Sequence, residues 1–295
     1  MKCIFIYNPK SGKSKILKRL DYIKDNLEKS FSKVVLYESK SDADVVEMSK
    51  RSAEIYDVII FSGGDGTFNA VVRGLATAKS RPKLGYIPSG TVNDIATSLK
   101  IPKNIKKALR IITNGYTIHH DIGKINDTFF TYVAGIGTFT GVSYQTKQDM
   151  KRIFGRLAYG FSGLKDLINP KLANVRIEAE EFSLNEATPL LLIMNSISVA
   201  GVKINKTGHL DDGMFDLLVV KRGVYKGLFN VIKLFLYSLI GIRRKKVIKH
   251  YRTNKLTVDI NPDVIWTIDG ESGPKGPVVI ENIPRFLEIY VPRKK

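Results

Sequence analysis

The stretch that decides the fold reads Ser62-Gly63-Gly64-Asp65-Gly66-Thr67 and directly follows the apolar run Val58-Ile59-Ile60-Phe61. Here a buried strand gives way to glycines, a carboxylate and a hydroxyl, and the apolar segment Phe68 to Leu75 follows. Because glycine has no side chain, the backbone of such a turn can approach a bulky anion closely. We therefore predict a strand, a phosphate-binding turn and a helix whose N-terminal amides face the phosphates. A purely structural turn is the alternative, although a plain connection of this kind needs fewer glycines.

Two other apolar runs end in comparable turns. Asn8-Pro9-Lys10-Ser11-Gly12-Lys13 follows Cys3 to Tyr7, and Pro88-Ser89-Gly90-Thr91-Val92-Asn93-Asp94 follows Leu84 to Ile87. In an open parallel sheet, such turns line one crevice at the carboxyl edge, where α/β folds bind their ligands. Neither turn is a Walker A loop, and no dinucleotide-binding fingerprint occurs, so a P-loop NTPase is disfavoured.

These motifs, together with a late Asp269-Gly270-Glu271, resemble those of the diacylglycerol kinase catalytic-domain family. That family comprises the bacterial soluble lipid kinases and also the sphingosine and ceramide kinases, and the Gram-positive diacylglycerol kinases are the most similar. The resemblance spans nearly the whole chain. NAD kinases share the Gly-Gly-Asp-Gly element, but their following motif is absent here.

The resemblance implies an ATP-dependent lipid kinase. Such an enzyme transfers the γ-phosphoryl group to a hydroxyl of diacylglycerol or a similar lipid, giving phosphatidic acid or an analogue. The alternatives are a sphingoid-base kinase, an NAD-kinase-like enzyme, or a catalytically idle regulator that binds lipid or nucleotide. Intact Asp269 and Glu271 speak against the idle regulator.

Residues of the three turns and their surroundings are expected to hold ATP. Ser39, at the end of the second predicted strand, matches a small hydroxyl residue of the family near the nucleotide, although a turn or cap serine is an equal alternative. The full expected set is Asn8, Pro9, Lys10, Ser11, Gly12, Ser39, Gly63, Gly64, Asp65, Gly66, Thr67, Asn69, Thr91 and Asn93.

Three carboxylates are candidates for a catalytic Mg²⁺ network. Asp65, Asp94 and Asp121 each end or follow a predicted strand of the first domain and could converge on the crevice. Because neighbouring carboxylates repel one another, their convergence implies Mg²⁺. Asp94 could instead cap a helix from Ile95 to Leu99, and Asp121 could be a turn residue.

Asp269 and Glu271 follow the strand-like run Trp266 to Ile268. If the strand continues, alternation places both carboxylates on one side of it. By resemblance, Asp269 is the general base that acts on the lipid hydroxyl, and Glu271 orients it or assists the metal network. A hairpin turn is the alternative for this motif taken alone.

A second metal site is implied by the segment His209-Leu210-Asp211-Asp212-Gly213-Met214. In the family, a structural Mg²⁺ is held here by a carboxylate and by backbone carbonyls. These ligands correspond to the Asp212 side chain and the carbonyls of His209 and Met214. A simple Asp-Gly turn is the alternative.

Length and patterning predict two domains. The chain has 295 residues, 43% of them hydrophobic, which is enough for two cores. Residues 1–122 alternate strand and helix and predict a doubly wound, NAD-kinase-like α/β domain for the nucleotide. Residues 123–285 predict a mostly antiparallel β-sandwich for the lipid substrate, and by resemblance residues 286–295 return to the first domain. Thr128 to Ala134 is expected to be one strand, and Val278 to Glu281 and Phe286 to Val291 to be two.

Charge and cysteine content favour a cytoplasmic protein with an acidic partner. The net charge is +19, and Cys3 is the only cysteine, so no disulfide framework exists. Nucleic acid is disfavoured because no nucleic-acid-binding motif accompanies the basic residues. We expect peripheral association with the anionic inner face of the cell membrane through the basic run Arg243-Arg244-Lys245-Lys246. The amphipathic stretch Val224 to Ile242 either inserts its apolar face there as well or packs as a helix on the second domain. By resemblance alone, a homodimer through the second domain is possible.

Overall fold

The computed structural model describes residues 1–9, 16–137, 172–222 and 248–293. The chain divides into two compact units, one formed by Met1–Ile122 with Pro284–Lys295 and the other by Gly123–Ile283. Several sequence predictions lie outside the described residues, namely those for Lys10, Ser11, Gly12, the stretch from Val224 to Ile242 and the basic run from Arg243 to Lys246.

The first unit is a parallel sheet with alternating helices. Strand β1 pairs in parallel with β2 and β3, β3 pairs with β4, and the C-terminal part of β16 lies beside β4. The elements are β1 (Lys2–Tyr7), α1 (Leu20–Glu28, after a 3₁₀ turn at Leu17–Arg19), β2 (Lys33–Glu38), α2 (Asp42–Ala53), β3 (Val58–Gly63), α3 (Asp65–Ala76), β4 (Lys83–Pro88), α4 (Asp94–Ser98), α5 (Ile105–Thr113), β5 (Thr117–Ile125) and β16 (Val278–Tyr290).

The sequence explains this arrangement directly. Every residue of β3 is buried, as expected for a central parallel strand that is covered on both faces. Helix α5 buries Ala108, Leu109 and Ile112 on one side only, as an amphipathic surface helix does. The predicted doubly wound α/β class is confirmed.

The second unit is antiparallel. One of its sheets has the order β12-β11-β10-β7-β14-β15, and in the other β16 pairs with β13, β13 with β8, and β8 with β9. Its further strands are β6 (Thr128–Phe130), β7 (Val133–Gly137), β8 (Ala173–Ala179), β9 (Ser183–Thr188), β10 (Leu190–Met194), β11 (Phe215–Val220), β12 (Ile248–Thr253), β13 (Lys255–Ile260), β14 (Ile265–Ile268) and β15 (Glu271–Lys275).

A shared apolar core joins the two sheets of this unit. Phe130 of β6 stacks on Phe215 of β11 with ring centroids 5.6 Å apart. Trp266 of β14 is fully buried, and its indole N–H donates to the Gly276 carbonyl at 3.0 Å. Burying a tryptophan in this way requires such a partner for its N–H group. The predicted β-sandwich is confirmed.

Two strand predictions are wrong in detail. The stretch from Thr128 to Ala134 is two strands, because the backbone N–H groups of Thr131 and Tyr132 donate to a carboxylate instead of to a neighbouring strand. Conversely, Val278–Tyr290 is one strand. It passes through a residue with positive φ, Arg285 at +54°, which sequence patterning does not reveal.

Candidate active site

Two glycine turns meet at the carboxyl edge of the first sheet. The N–H groups of Ser89 and Gly90 both donate to the Gly63 carbonyl, at 2.8 and 3.2 Å. A Cβ atom at Gly90 would lie only 2.5 Å from the Gly64 Cα. No residue with a side chain fits at that position, so the turns after β3 and β4 form one continuous backbone surface.

A buried tyrosine braces this contact. The Tyr86 hydroxyl lies 3.3 Å from both the Gly63 carbonyl oxygen and Asn93 Oδ1, and Asn93 Nδ2 donates to the Gly90 carbonyl at 2.7 Å. Asn93 itself has φ +58°, a left-handed conformation that asparagine tolerates better than most residues. Sequence reasoning missed Tyr86. The available signal was a tyrosine inside an apolar strand, since a buried hydroxyl needs a partner.

Asp65 links the first glycine turn to helix α4. Its Oδ1 accepts the Ile95 N–H at 3.1 Å, and its carboxylate also accepts from the backbone N–H groups of Asn93 and Asp94. Asp65, the first residue of α3, therefore caps α4 from the neighbouring helix, and Asn93, not Asp94, occupies the N-cap position of α4. The helix begins at Asp94, one residue before the predicted start.

Asp65 and Asp94 form a carboxylate pair. Burial raises the pKa of Asp65, and the nearby charge of Asp94 raises it further, while the backbone donors oppose both effects. Asp94 is almost fully buried. A divalent cation beside the pair would relieve the repulsion between the two carboxylates, so these residues fit a Mg²⁺ site.

Asp121 does not join this pair in a metal site. Within the described ranges, no group of three or more His, Cys, Asp or Glu side chains is arranged to hold a metal ion. Asp121 is fully buried on β5, and its Oδ1 accepts the Arg285 N–H at 2.6 Å. This hydrogen bond holds the backbone of β16 at Arg285, where φ is positive.

The other expected nucleotide residues that are described lie at the same edge. Asn8 and Pro9 follow β1, whose last residue, Tyr7, pairs with Ser62 of β3. Ser39 is buried at the end of β2, and both its N–H and its hydroxyl donate to the Tyr7 carbonyl, at 2.8 and 3.2 Å.

The remaining residues of the expected set lie on α3 and in the turn after β4. Gly66 and Thr67 belong to the first turn of α3, and Asn69 lies one turn later with a buried Oδ1 that accepts no hydrogen bond within the described chain. The Thr91 carbonyl accepts a hydrogen bond from Lys103 Nζ at 2.8 Å.

The late Asp-Gly-Glu motif is a hairpin turn. Strand β14 ends at Ile268, β15 begins at Glu271, and these two residues pair. Between them, Asp269 and Gly270 have φ of +52° and +84°, as a two-residue type I′ turn requires. The strand therefore does not continue, and the condition under which both carboxylates would lie on one side of it is not met. Asp269 is buried whereas Glu271 is exposed.

The Asp269 carboxylate is held by four donors. Its Oδ2 accepts the N–H and the hydroxyl of Thr131, at 2.6 and 2.7 Å. Its Oδ1 accepts the N–H groups of Tyr132 and Val133, at 3.0 and 3.1 Å. Burial raises the pKa of Asp269 to about 6 although these bonds lower it. Thr131 was missed because no sequence motif connects it with Asp269.

The proposed structural metal site is occupied by an ion pair. One oxygen of Asp212 accepts the Met214 N–H at 3.1 Å, and the other pairs with the guanidinium of Arg252. The ligands predicted from His209 and Met214 are backbone carbonyls, and those two ligands stay a prediction. A metal ion at Asp212 would have to displace an existing cation, so the residues do not fit this site.

Arg252 also lies close to the buried carboxylate of Asp216. Its Nε lies 3.7 Å from Asp216 Oδ1, and Asp216 accepts His250 Nε2 and Asn205 Nδ2, both at 2.6 Å. Burial alone would raise the pKa of Asp216, but the bonds from His250 and Asn205 and the charge of Arg252 hold it below its usual value.

Comparison with known proteins now identifies the family. The model of the diacylglycerol kinase catalytic domain matches residues 2–125, and that of the YegS C-terminal NAD kinase beta sandwich-like domain matches residues 135–291. The diacylglycerol kinase of Staphylococcus saprophyticus is 35% identical over 290 residues, covering 97% of this chain and 94% of that protein. The chain belongs to the diacylglycerol kinase family.

Other members of the diacylglycerol kinase family match this chain over nearly its whole length. The diacylglycerol kinase of Staphylococcus carnosus is 33% identical over 98% of this chain and 94% of its own length. A crystal structure of a diacylglycerol kinase from Bacillus anthracis matches with a TM-score of 0.83 at 25% identity, covering 99% of this chain and 97% of that one. The chain is thus an ATP-dependent lipid kinase, as predicted. Over the described residues, no helix is long and apolar enough to cross a membrane.

The contact between the turns can be tested with two alanine variants. Gly90→Ala must push Gly64 away, whereas a Cβ at Gly64 would lie 3.2 Å from the Gly90 Cα and needs only a small shift. Because overpacking costs about 1–3 kcal/mol, Gly90→Ala is expected to weaken MgATP binding about tenfold or more, and Gly64→Ala less. Calorimetric titration measures both. Equal affinities in the two variants and the parent would show that the contact does not form the nucleotide site.

Because Asp212 pairs with Arg252, we expect the stability of the fold not to depend on a metal ion at this position. Chelation with EDTA is expected to leave the Tm of the parent unchanged. Arg252→Ala is expected to lower Tm, at a cost of about 1 kcal/mol for a partly exposed pair, and more than the control Arg176→Ala, which breaks an exposed pair with Glu178. Thermal melts followed by circular dichroism provide the measurement. A clear fall in the parent's Tm on chelation, with Asp212→Ala insensitive, would restore the metal site.

Proposed function

We propose that the enzyme phosphorylates the hydroxyl of diacylglycerol or a closely similar neutral lipid, giving phosphatidic acid or its analogue. The observation that carries this proposal is the pair of glycine turns with Asp65 and Asp94, in a chain that is 35% identical to a staphylococcal diacylglycerol kinase over nearly its whole length. Phosphoryl transfer depends mainly on positioning and on electrostatic stabilisation, which such turns supply.

In this proposal, the carboxyl edge of the first sheet holds the ATP phosphates. The N–H groups at the start of α3, from Gly64 to Thr67, have no acceptor within the helix and face the phosphates together with the positive end of the helix dipole. The turn after β1, with Asn8 to Gly12, and the turn with Thr91 and Asn93 border them. Asp65 and Asp94 would hold Mg²⁺, which when bound neutralises charge on the phosphate oxygens.

Asp269 is the proposed general base. Its raised pKa suits a group that takes a proton from a hydroxyl near neutral pH. The four donors already use the acceptor positions of both carboxylate oxygens. A substrate hydroxyl must therefore displace one of them, and the longest bond, from the Val133 N–H, is the easiest to replace. Because Glu271 is exposed and Asp269 is buried, we assign the base role to Asp269 alone.

The remaining parts of the proposal concern location and assembly. A diacylglycerol acceptor lies in the bilayer, so we place the enzyme in the cytoplasm and at the inner face of the cell membrane as a peripheral protein. The net charge of +19 favours an anionic membrane. A homodimer through the second unit is proposed from family resemblance alone, and sedimentation velocity tests it.

A direct assay tests the acceptor. Purified full-length protein is incubated with radiolabelled ATP and Mg²⁺ and with diacylglycerol, ceramide, sphingosine or NAD, the lipids in mixed micelles. The expected result is labelled phosphatidic acid. Label only on sphingosine or ceramide, or only on NAD, would assign a different acceptor class. ATP binding without transfer to any acceptor would indicate a regulator.

The pH dependence tests the base. Because only ionised Asp269 accepts a proton, kcat/KM should rise with pH and level off above a midpoint near the pKa of about 6. Asp269→Asn should lower kcat about 10²-fold or more. Thr131→Val removes a donor that stabilises the carboxylate, so it should raise the pKa and move this midpoint to higher pH, whereas Thr131→Ser keeps the hydroxyl and should not. The same pH profile in the parent, Thr131→Val and Thr131→Ser would contradict the proposal that Thr131 sets the pKa of Asp269 as the general base.

A further inference from the structure

Helix α5 of the first unit carries a basic surface that the proposed catalytic steps do not use. Its buried residues, Ala108, Leu109 and Ile112, face the sheet, where the Ile112 side chain packs over Gly85 of β4. Lys106, Lys107 and Arg110 are exposed on the opposite side. Residues spaced three and four apart share one face of a helix, so these three cations form a single surface, here named the α5 basic face.

The sequence around this face is free of acidic residues. Between Ile95 and His120 the sequence contains no aspartate or glutamate. Other surface helices of the unit pair their cations, as Arg51 with Glu47 at 2.8 Å on α2 and Lys24 with Glu28 at 3.8 Å on α1. Over the described part of the chain, none of the ion pairs includes a residue of the α5 basic face.

The basic face is anchored next to the candidate nucleotide site. Lys103, in the turn just before α5, donates to the Thr91 carbonyl at 2.8 Å, which ties the start of this segment to the turn after β4. On its other side, Lys106 Nζ lies 5.4 Å from the ring centroid of Tyr22 on α1. Lys18 and Arg19, in the 3₁₀ turn that precedes α1, are also exposed and lie three to four residues before Tyr22.

We propose that the α5 basic face docks the enzyme on an anionic lipid surface. The inference rests on the proposed function, because only an acceptor in the bilayer requires the enzyme to reach a membrane. Long cationic side chains along one exposed helix face suit a plane of phosphate headgroups, since each ammonium or guanidinium extends from an apolar stem to meet a phosphate. Nucleic acid offers the same phosphates, but a lipid kinase must approach lipid to act.

The test compares two variants with the same change in net charge. The first replaces Lys106, Lys107 and Arg110 with glutamine. The control replaces Lys24, Lys50 and Arg51, exposed cations of α1 and α2, with glutamine. Lys103 stays unchanged in both, because it contacts the candidate nucleotide turn. Binding of the full-length proteins to phosphatidylglycerol-rich vesicles is measured by sedimentation at low and high salt, with phosphatidylcholine vesicles as the neutral reference.

The basic-face variant is expected to bind anionic vesicles about 100-fold more weakly than the parent at low salt, with the control variant close to the parent. The difference should shrink at high salt, which screens exposed charges, and on neutral vesicles. Equal weakening in both variants would show that net charge alone governs binding, and parent-like binding by the basic-face variant would place docking elsewhere; either result overturns the proposal. Loss of binding to a single-stranded RNA, with vesicle binding kept, would overturn it in favour of nucleic acid.

A kinase assay separates this proposal from the proposed function. In neutral detergent micelles with diacylglycerol, the basic-face variant should turn over like the parent, because the reaction then needs no anionic surface. If the parent itself does not phosphorylate diacylglycerol, the proposed function fails, and the vesicle comparison still decides where the protein docks. A variant that loses activity in neutral micelles would overturn a purely docking role for the α5 basic face.

Discussion

The close approach of Gly90 to Gly64 is the constraint on which the candidate site depends. Two backbone segments meet with no room for a Cβ on the second, and the Gly63 carbonyl accepts both amides that follow β4. Because the turns are joined, Asp65 of one turn can cap the helix that starts in the other. The site is therefore held by backbone geometry, and the first N–H groups of α3, which have no acceptor within the helix, can bind an anion.

The buried carboxylates of the two units are stabilised in different ways. Asp65 and Asp94 lie close together, and burial and the charge of Asp94 raise the pKa of Asp65. A cation beside the two carboxylates would offset their repulsion. Asp269 lies alone in its turn with a positive φ and receives four donors. Aspartate followed by glycine is a preferred pair for a turn of this kind, and the four donors fix the carboxylate inside it. The first arrangement suits metal and phosphate, and the second suits proton transfer.

Sequence reasoning succeeded where the signal is local. The apolar run before Ser62 and the glycines after it identify a strand, a turn and a helix without reference to any distant residue, and the fold class follows from repeating that pattern. It failed where contacts between distant residues decide. Alternation would place Asp269 and Glu271 on one side of a continuing strand, but the strand ends, and the donors at Thr131 to Val133 hold Asp269 inside a tight turn. Polar strands such as β12 and β15 also escaped notice, because sheet pairing alone makes them strands. Arg252 lies 40 residues from Asp212, so the resemblance that implied a metal there could not reveal the ion pair.

ATP is expected to bind at the joined turns of the first unit. Hydrogen exchange followed by mass spectrometry tests it most directly, because bound phosphates cover backbone N–H groups and slow their exchange. With a non-hydrolysable ATP analogue and Mg²⁺, peptides that contain Gly63 to Thr67 and Ser89 to Ile95 should gain protection together, while the hairpin around Asp269 should change little. Protection of the hairpin alone, or an unchanged rate in both turns at saturating nucleotide, would contradict the assignment of the nucleotide site.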